Sequence, residues 1–383
     1  MCSPCDCGDR CGPHGQQLAS SQLKQCRRCG SEPFVYIDKV RIECRQCFLE
    51  FCNKKFRTTI GKSKLVKNNE SILLAYSGGP NSTALLDLIY NSMKCDSGRE
   101  QKFKVSIVHI NTGSIAQLLR SDLMGDGGLQ ERANDLNKRI RSLAARYPNW
   151  PIYFTTIEKF YTNNLKLDQC DLRNCHECPA YLEYHCDKDL DSRRLMESIL
   201  ELCDDEPAEM QMKSVLQSKA IGDKTARLQI ANECCFKLID QVAADIIYRG
   251  IDEFKYVLTG SSIARLSNDL LVNVILGKGS DIGSAVKICD RRPRIPIIRP
   301  LREFSNKEIA YYLRARDILN EVSVTPNLMT FADRKDTIQS LTESFLSKLT
   351  LDFPSTYNTL VNTGSKMNDS ISTADSDQFL PAE

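Results

Sequence analysis

Two pairs of thiols carry the sharpest chemical signal in the chain. Cys26-x-x-Cys29 and Cys44-x-x-Cys47 stand fourteen residues apart, a spacing that lets two knuckles converge as four tetrahedral ligands for one zinc ion. The intervening EPFVYIDKVRIE reads as two short strands. The expected unit is therefore a zinc ribbon that cannot bury enough core without its metal. Four unligated surface thiols are the alternative, which the ribbon spacing disfavours. Upstream, Cys2, Cys5, Cys7, Cys11 and His14 offer soft ligands either for a second metal or for opportunistic binding only.

A second constellation begins at Ile72. The apolar run Ile72–Tyr76 leads into Ser77-Gly78-Gly79-Pro80-Asn81-Ser82-Thr83 and then into an apolar helix start at Ala84. Strand, small-residue loop and helix together build an anion site: the glycines allow close backbone approach, the helix start supplies N–H donors and partial positive charge, and Ser77, Ser82 and Thr83 add hydroxyls. An ordinary strand-to-helix turn is the plain alternative, and the glycine pair alone does not exclude it.

Further cysteines and cations are less decisive. Cys170, Cys175, Cys178 and Cys186, with His176 and His185, read first as an incidental cluster, then as a structural metal site and last as a sulfur-handling set. Cys234 and Cys235 point about 100° apart on a helix, which fits packing better than shared chemistry. Residues 24–67 hold twelve Lys and Arg against four acids, a net of +8 inside a chain whose total is only +2. Arg27, Arg28, Lys54, Lys55 and Arg57 there, and Arg291 and Arg292 in RRPRIPIIRPLR, are expected to meet nucleic-acid phosphates; a merely solvated face is the alternative. Tyr36, Phe48 and Phe51 serve either as the small module's core or as stacking surfaces for bases.

These groups need elements to position them. Short apolar runs alternate with helical periodicity from about Ser71: strands are expected at Ile72–Tyr76, Lys104–Ile110, Ile152–Ile157 and Tyr256–Thr259, and helices near Thr83–Tyr90, Leu129–Arg146, Thr225–Tyr248 and Ala264–Leu276. This is an α/β pattern, implying a parallel sheet covered on both faces with ligands beyond the strands' carboxyl ends. Ser305 followed by Glu308 predicts a capping box opening a later helix. The expected division is a Cys-rich tail at 1–23, a basic ribbon module at 24–67, an α/β domain at 68–300 interrupted by an insertion near 160–219, a helical region at 301–363 and a disordered tail at 364–383. With 42% hydrophobic and 26% charged residues, collagenous and fibrous classes are excluded. No apolar run reaches the roughly 18 residues of a membrane span, and the first residues lack the apolar core of a secretion signal. A chain retained in the cytoplasm, with cysteines serving metal or redox chemistry rather than disulfides, is the expectation.

With those residues in view, SGGPNS at 77–82 resembles the phosphate loop of the PP-loop ATP pyrophosphatases, which adenylate substrates and release pyrophosphate. More closely, CRRC, ECRQCF, KFRTTIGK, LLAYSGGPNS, LTGSSIARLSNDLLVNVILGKG, RPLREFSNKEIAYYL and DFPSTYNTL occur in the order found in the cytoplasmic tRNA 2-thiolation protein 2 family, across most of residues 24–363. The resemblance implies a PP-loop fold (adenine nucleotide alpha hydrolase-like) and a heterodimer with a catalytic subunit of the protein 1 family. It also implies sulfur from a thiocarboxylated ubiquitin-like carrier, and wobble uridine of tRNAs for lysine, glutamate and glutamine as the target.

Departures from the active pattern limit the chemistry. Asn81 stands where the loop usually has an aspartate, losing a charge that helps hold Mg²⁺. Gly260-Ser261-Ser262-Ile263-Ala264-Arg265 replaces a GHxxDD-type motif, so its histidine and both acids are missing. Active thiolases of this kind carry a cysteine pair just before the helix expected at Thr225–Tyr248, where this chain has none. Ser77, Gly78, Gly79, Asn81, Ser82, Thr83, Gly260 and Ser261 then read as a nucleotide or phosphate site, either working or vestigial, with ATP and Mg²⁺ bound either here or in the partner subunit only. A subunit that binds tRNA and supports catalysis is the leading expectation. The alternatives are an adenylating sulfurtransferase in its own right and a zinc-ribbon RNA-binding scaffold outside thiolation.

Overall fold

The structure, a computed structural model of the 383-residue chain, describes residues 25–37, 41–63, 66–94, 103–113, 129–161, 181–184, 192–204, 206–217, 223–278, 282–322 and 337–367. They form two compact units, one ending at Phe51 and one beginning at Cys52.

The first unit is a hairpin followed by the start of a helix. β1 (Val35–Ile37) pairs antiparallel with β2 (Arg41–Glu43), Tyr36 standing opposite Ile42. α1 (Arg45–Ser63) then begins, and the boundary between the units falls within it. Period-two alternation buries Val35 and Ile37 and turns Tyr36 outward, half exposed. Of the three aromatics, Phe48 is fully buried, Phe51 lies beneath the Arg41 guanidinium at 4.0 Å, and Tyr36 alone faces solvent.

The second unit is built on a seven-stranded sheet in the order β6-β5-β4-β3-β7-β9-β8. Its strands are β3 (Ser71–Ala75), β4 (Lys104–Asn111), β5 (Ile152–Thr156), β6 (Leu182–Tyr184), β7 (Phe254–Thr259), β8 (Cys289–Asp290) and β9 (Ile297–Ile298). β3, β4, β5, β7 and β9 run parallel, and Ile72 to Leu74, buried from both sides, read as the continuous apolar run that a central parallel strand requires. The expectation of a parallel sheet holds for these five and is corrected at both edges, where β6 and β8 pair antiparallel.

The helices follow the strands. α2 (Pro80–Met93), α3 (Leu129–Arg146), α4 (Ser192–Cys203), α5 (Glu206–Gln217), α6 (Lys224–Tyr248), α7 (Ile263–Ile275), α8 (Ile282–Val286), α9 (Asn306–Ala315), α10 (Ile338–Asp352) and α11 (Thr356–Gly364) complete the described elements, with a 3-10 turn at Leu319–Glu321. α2 starts three residues before the sequence suggests, because Pro80 brings a preset helical φ to the first turn. Leu238, Val242 and Ile246 of α6 pack on Leu73, Val108, Val257 and Ile297 of the sheet. α10 and α11 pack on α7, and Leu266 and Leu270 there meet Val361 and Val286. The region read as an insertion supplies edge strand β6 and α4, which packs on α3. The capping box is present: Ser305 Oγ accepts from Glu308 N at 3.2 Å, and the Glu308 carboxylate accepts from Ser305 N at 2.9 Å.

Candidate functional site

In the first unit the four thiols converge as their spacing requires. The sulfurs of Cys26, Cys29, Cys44 and Cys47 all lie within 4.8 Å of one another, with Cys29 to Cys44 at 3.5 Å and Cys47 to Cys29 at 3.6 Å. A zinc ion at about 2.3 Å from each ligand sets tetrahedral edges of about 3.8 Å, so the set fits one ion. Cys26 and Cys44 are buried, Cys29 is exposed and Cys47 lies between. Burial would raise Cys26, but backbone N–H groups of Cys44, Arg28 and Cys29 outweigh it and lower the thiol to about 6. Hydrogen bonds with Ser31 lower Cys29, while contacts with Cys29 and Cys44 raise Cys47. A cation would displace that remaining proton, so binding should release acid.

In the second unit the phosphate-loop residues lie at the carboxyl end of β3, beside those of β7. Strand order steps from β3 to β4 and β5 on one side and to β7 on the other, so the gap between β3 and β7 is the point where the order reverses, the position at which such sheets bind ligands. Gly78 takes a φ of +78°, which favours glycine, and lets the chain turn from β3 into α2. Ser77 Oγ meets Ser82 Oγ at 3.1 Å; Ser82 Oγ and Thr83 Oγ1 donate to Gly79 O at 3.0 and 2.9 Å. Across the gap, Thr259 Oγ1 and Ser261 Oγ are 3.3 Å apart, and Ser262 caps α7 by accepting from Arg265 N. The two loops touch at Gly260, where a Cβ would fall 2.8 Å from Ser82 N and 2.9 Å from the Asn81 carbonyl carbon. Only glycine fits between these backbones. Gly260→Ala should thus destabilise the protein by about 1–3 kcal/mol, whereas Gly79→Ala, meeting nothing closer than Ser77 Oγ at 3.4 Å, should cost far less; paired urea denaturation curves measure the difference.

Two helix N-termini therefore meet at hydroxyls and glycines, an environment that attracts an anion. The carboxylates and imidazole that metal-assisted phosphate chemistry uses are replaced by Asn81, Ser261, Ala264 and Arg265, and Arg265 pairs with Asp269 at 3.1 Å.

No protein-family model matches the chain. Cytoplasmic tRNA 2-thiolation protein 2-B of Xenopus laevis is 31% identical over 375 residues, spanning 93% of this chain and 70% of its own. The chain belongs to the cytoplasmic tRNA 2-thiolation protein 2 family. Members from Danio rerio and Anopheles gambiae are 29% and 24% identical, over 90% and 95% of this chain and 67% and 76% of their own. Among solved structures, the U34-tRNA thiolase NcsA from Methanococcus maripaludis with its [4Fe-4S] cluster superposes with a TM-score of 0.53 at 13% identity, over 90% of this chain and 87% of its own. That likeness fixes the fold.

The structure sorts the cations of this family member. Arg27 and Lys54 are exposed. Arg28 pairs with Glu43 at 3.5 Å. The Lys55 ammonium sits 2.9 Å from the buried Glu308 carboxylate and over the Phe304 ring, so it has a partner within the fold. Arg57 is half buried, its Nε without a hydrogen-bond partner among the described residues. Arg291 is exposed, but Arg292 makes a two-pronged contact with Asp290 at 2.9 and 2.8 Å, and Asp290 also holds the buried Arg299. Arg292 is thus anchored locally. Residues 52–67 carry six Lys and Arg and no acid, so most of the net +8 sits beyond the hairpin, from the second half of α1 onward. Cys170, Cys175, Cys178, Cys186 and the cysteines before residue 25 lie outside the described residues.

His109, which the sequence did not single out, lies on β4 beside the loop. It is fully buried and donates from Nδ1 to Tyr76 O at 2.8 Å. Burial pushes its pKa down to about 4 from 6.5. As pH falls through 6.5 the unfolded chain takes up a proton at this ring, and the folded chain does not until about 4. The stability tied to the neutral ring is accordingly complete above 6.5 and lost between 6.5 and 4, about 3 kcal/mol in all. His109→Gln should flatten that part of the acid limb in urea denaturation curves at pH 7.5 and 5.

Proposed function

We propose that this chain is the tRNA-binding, non-adenylating subunit of a cytoplasmic complex that 2-thiolates wobble uridine of the lysine, glutamate and glutamine tRNAs. A catalytic partner of the protein 1 family activates the uridine as its adenylate, and a thiocarboxylated ubiquitin-like carrier supplies the sulfur. The observation that carries this reading is the junction at Gly260: the backbone that builds a phosphate loop is kept intact, down to a contact only glycine permits, while Asn81, Ser261, Ala264 and Arg265 remove the groups that would hold a metal-bound nucleotide. Family membership and the thiolase fold support the same assignment.

Zinc held by Cys26, Cys29, Cys44 and Cys47 belongs to this proposal. Sulfurs within 4.8 Å of one another suit ligands on one shared ion, whereas a four-iron cluster puts each thiolate on a different corner and spreads them wider. The ion's role is structural, all four positions being filled by protein. Arg27, Arg28, Lys54, Arg57 and Arg291 remain the proposed tRNA contacts.

Mass spectrometry of tRNA nucleosides after depletion of this chain tests the assignment. The 2-thiolated wobble nucleoside should fall to background while its oxygen analogue, with the 5-substituent intact, accumulates. Unchanged thiolation would remove the chain from the pathway, and AMP and pyrophosphate formation by the purified chain alone would make it an enzyme instead of a supporting subunit.

A further inference from the structure

We propose that a cavity beside α6 receives one unpaired nucleotide of the bound tRNA, with a base that carries an exocyclic amine; this rests on the tRNA-binding reading above. The cavity measures about 430 Å³, within the range of small-molecule sites. Val257 of β7 and Ile297 of β9 line it from the sheet, and Phe160 and Phe236 add two aromatic rings. Phe236 is 49% exposed and makes no ring contact among the described residues. Leu238, Val242 and Ile246 of α6 form the packing on the sheet, and Phe236 is not part of that core. An exposed ring beside an apolar hollow leaves room for a second flat ring to stack on it.

The charged groups at this cavity are few and unmatched. Lys237 and Asp240 line it one helical turn apart, yet neither forms a hydrogen bond or ion pair among the described residues, not even with the other. Arg294, exposed and likewise without an ion pair there, stands in the chain between two more lining residues, Pro293 and Ile295. Two cations against one acid favour a ligand that is anionic overall and still has a donor to offer. A purely apolar ligand would leave all three charges unanswered, and a fatty or aromatic acid would bring a second anion towards Asp240. A nucleotide answers each group: its base stacks on Phe236, its exocyclic amine donates to the Asp240 carboxylate, and its phosphate meets Lys237. Uracil fits less well, because the carbonyl oxygens on either side of its N3–H would face the carboxylate. A paired base already donates its amine to its partner, so the nucleotide must be unpaired. None of the described phosphate-loop residues lines the cavity, which makes this a contact separate from the junction at Gly260.

Anisotropy titrations of the metal-loaded full chain with labelled tRNA and with short oligo-C and oligo-U strands test this across a salt series. The two pyrimidine strands differ in one ring substituent, an amine or a carbonyl, and the wild type should bind oligo-C about tenfold tighter, the effect of one hydrogen bond to a charged group. Asp240→Asn, whose amide both accepts and donates, should bring that ratio to about one. Phe236→Ala should weaken binding of tRNA and both strands about five- to hundredfold, while Phe236→Tyr should bind normally; both variants should keep the wild-type thermal transition, because the ring is half exposed. Lys237→Gln should lower the salt slope by about one. If the wild type binds tRNA with a steep salt dependence but Phe236→Ala binds equally well, or if oligo-U matches oligo-C, the cavity assignment is wrong and the tRNA-binding reading stands. If the wild type does not bind tRNA, both fail. A lowered thermal transition together with lost affinity in Phe236→Ala would mark the ring as structural and overturn the cavity assignment.

Discussion

Replacing Asp87 with alanine should cost the second unit about 3–5 kcal/mol, the largest loss expected from a substitution outside the cysteines. Asp87 sits on α2 with no exposure at all, yet carries a carboxylate. Tyr312 Oη donates to it at 2.7 Å, Arg316 Nε at 2.8 Å, Asn91 Nδ2 at 2.8 Å and Arg146 at 3.3 Å, and Arg146 also pairs with Glu321. Two acids and two guanidiniums thereby balance, and the ends of α3 and α9 are pinned to α2. Burial, reinforced by the Asp87 charge, pushes the Tyr312 pKa well up, so the phenol stays a donor. Asp87→Ala leaves a buried hydroxyl without its acceptor and two guanidiniums facing each other without the charge between them. Water reaches both arginines, at 28% and 31% exposure, which holds the loss toward the lower bound. Asp87→Asn keeps an acceptor and loses only charge, so it should fall between. Because α2 begins at the phosphate loop, amide exchange in its first turn should quicken in step with the lost stability. A urea midpoint shift worth less than about 1 kcal/mol for Asp87→Ala would show that the buried network contributes little.

What the sequence announced and what it concealed divide along chain distance. Ile72–Leu74 declared a central strand because a run buried on both faces leaves no polar alternation. Ser305 and Glu308 declared a helix start, and the four cysteines a ligand set, since each rule operates within a few residues. Lys55 looked like one more cation in a basic stretch, and only the fold brings it to Glu308, 253 residues away. Asp87 gives no sign of its role in the sequence, because its partners Tyr312 and Arg316 lie 225 and 229 residues on. The antiparallel edges escaped for a related reason. β6 and β8 are three and two residues long, and direction in so short a strand is set by the sheet it joins. Charge counting overstated the basic surface in the same way, because a net charge does not record which cations already have partners.

Cys44→Ser should abolish stoichiometric zinc, about one equivalent per chain in the wild type, and unfold the first unit while the second keeps its thermal transition. The hairpin and knuckles comprise fewer than 30 described residues, well below the size at which a core alone sustains a fold. Metal binding, worth about 10–16 kcal/mol in comparable small sites, would make up the difference. Cys44 is the most exacting of the four to lose. It is buried, it follows β2 directly, its sulfur lies 3.5 Å from Cys29 Sγ and accepts from Cys47 N at 3.5 Å, and its carbonyl accepts from Phe48 N at 3.1 Å. It therefore joins the hairpin, both knuckles and the start of α1, and a serine hydroxyl cannot replace a thiolate on zinc. Cys52→Ser is the control: Cys52 is equally buried but stands outside the tetrad, so it should perturb packing and leave zinc at full occupancy. Chelation of the wild type should reproduce the Cys44→Ser state, and added zinc should reverse the first and not the second. If Cys44→Ser retains the hairpin's amide protection, the fold places the four thiols together without a metal's help. If zinc and tRNA affinity fall together while the first turn of α2 stays protected, the two units divide the work: the ribbon binds RNA, and the sheet keeps its phosphate loop intact without depending on the metal.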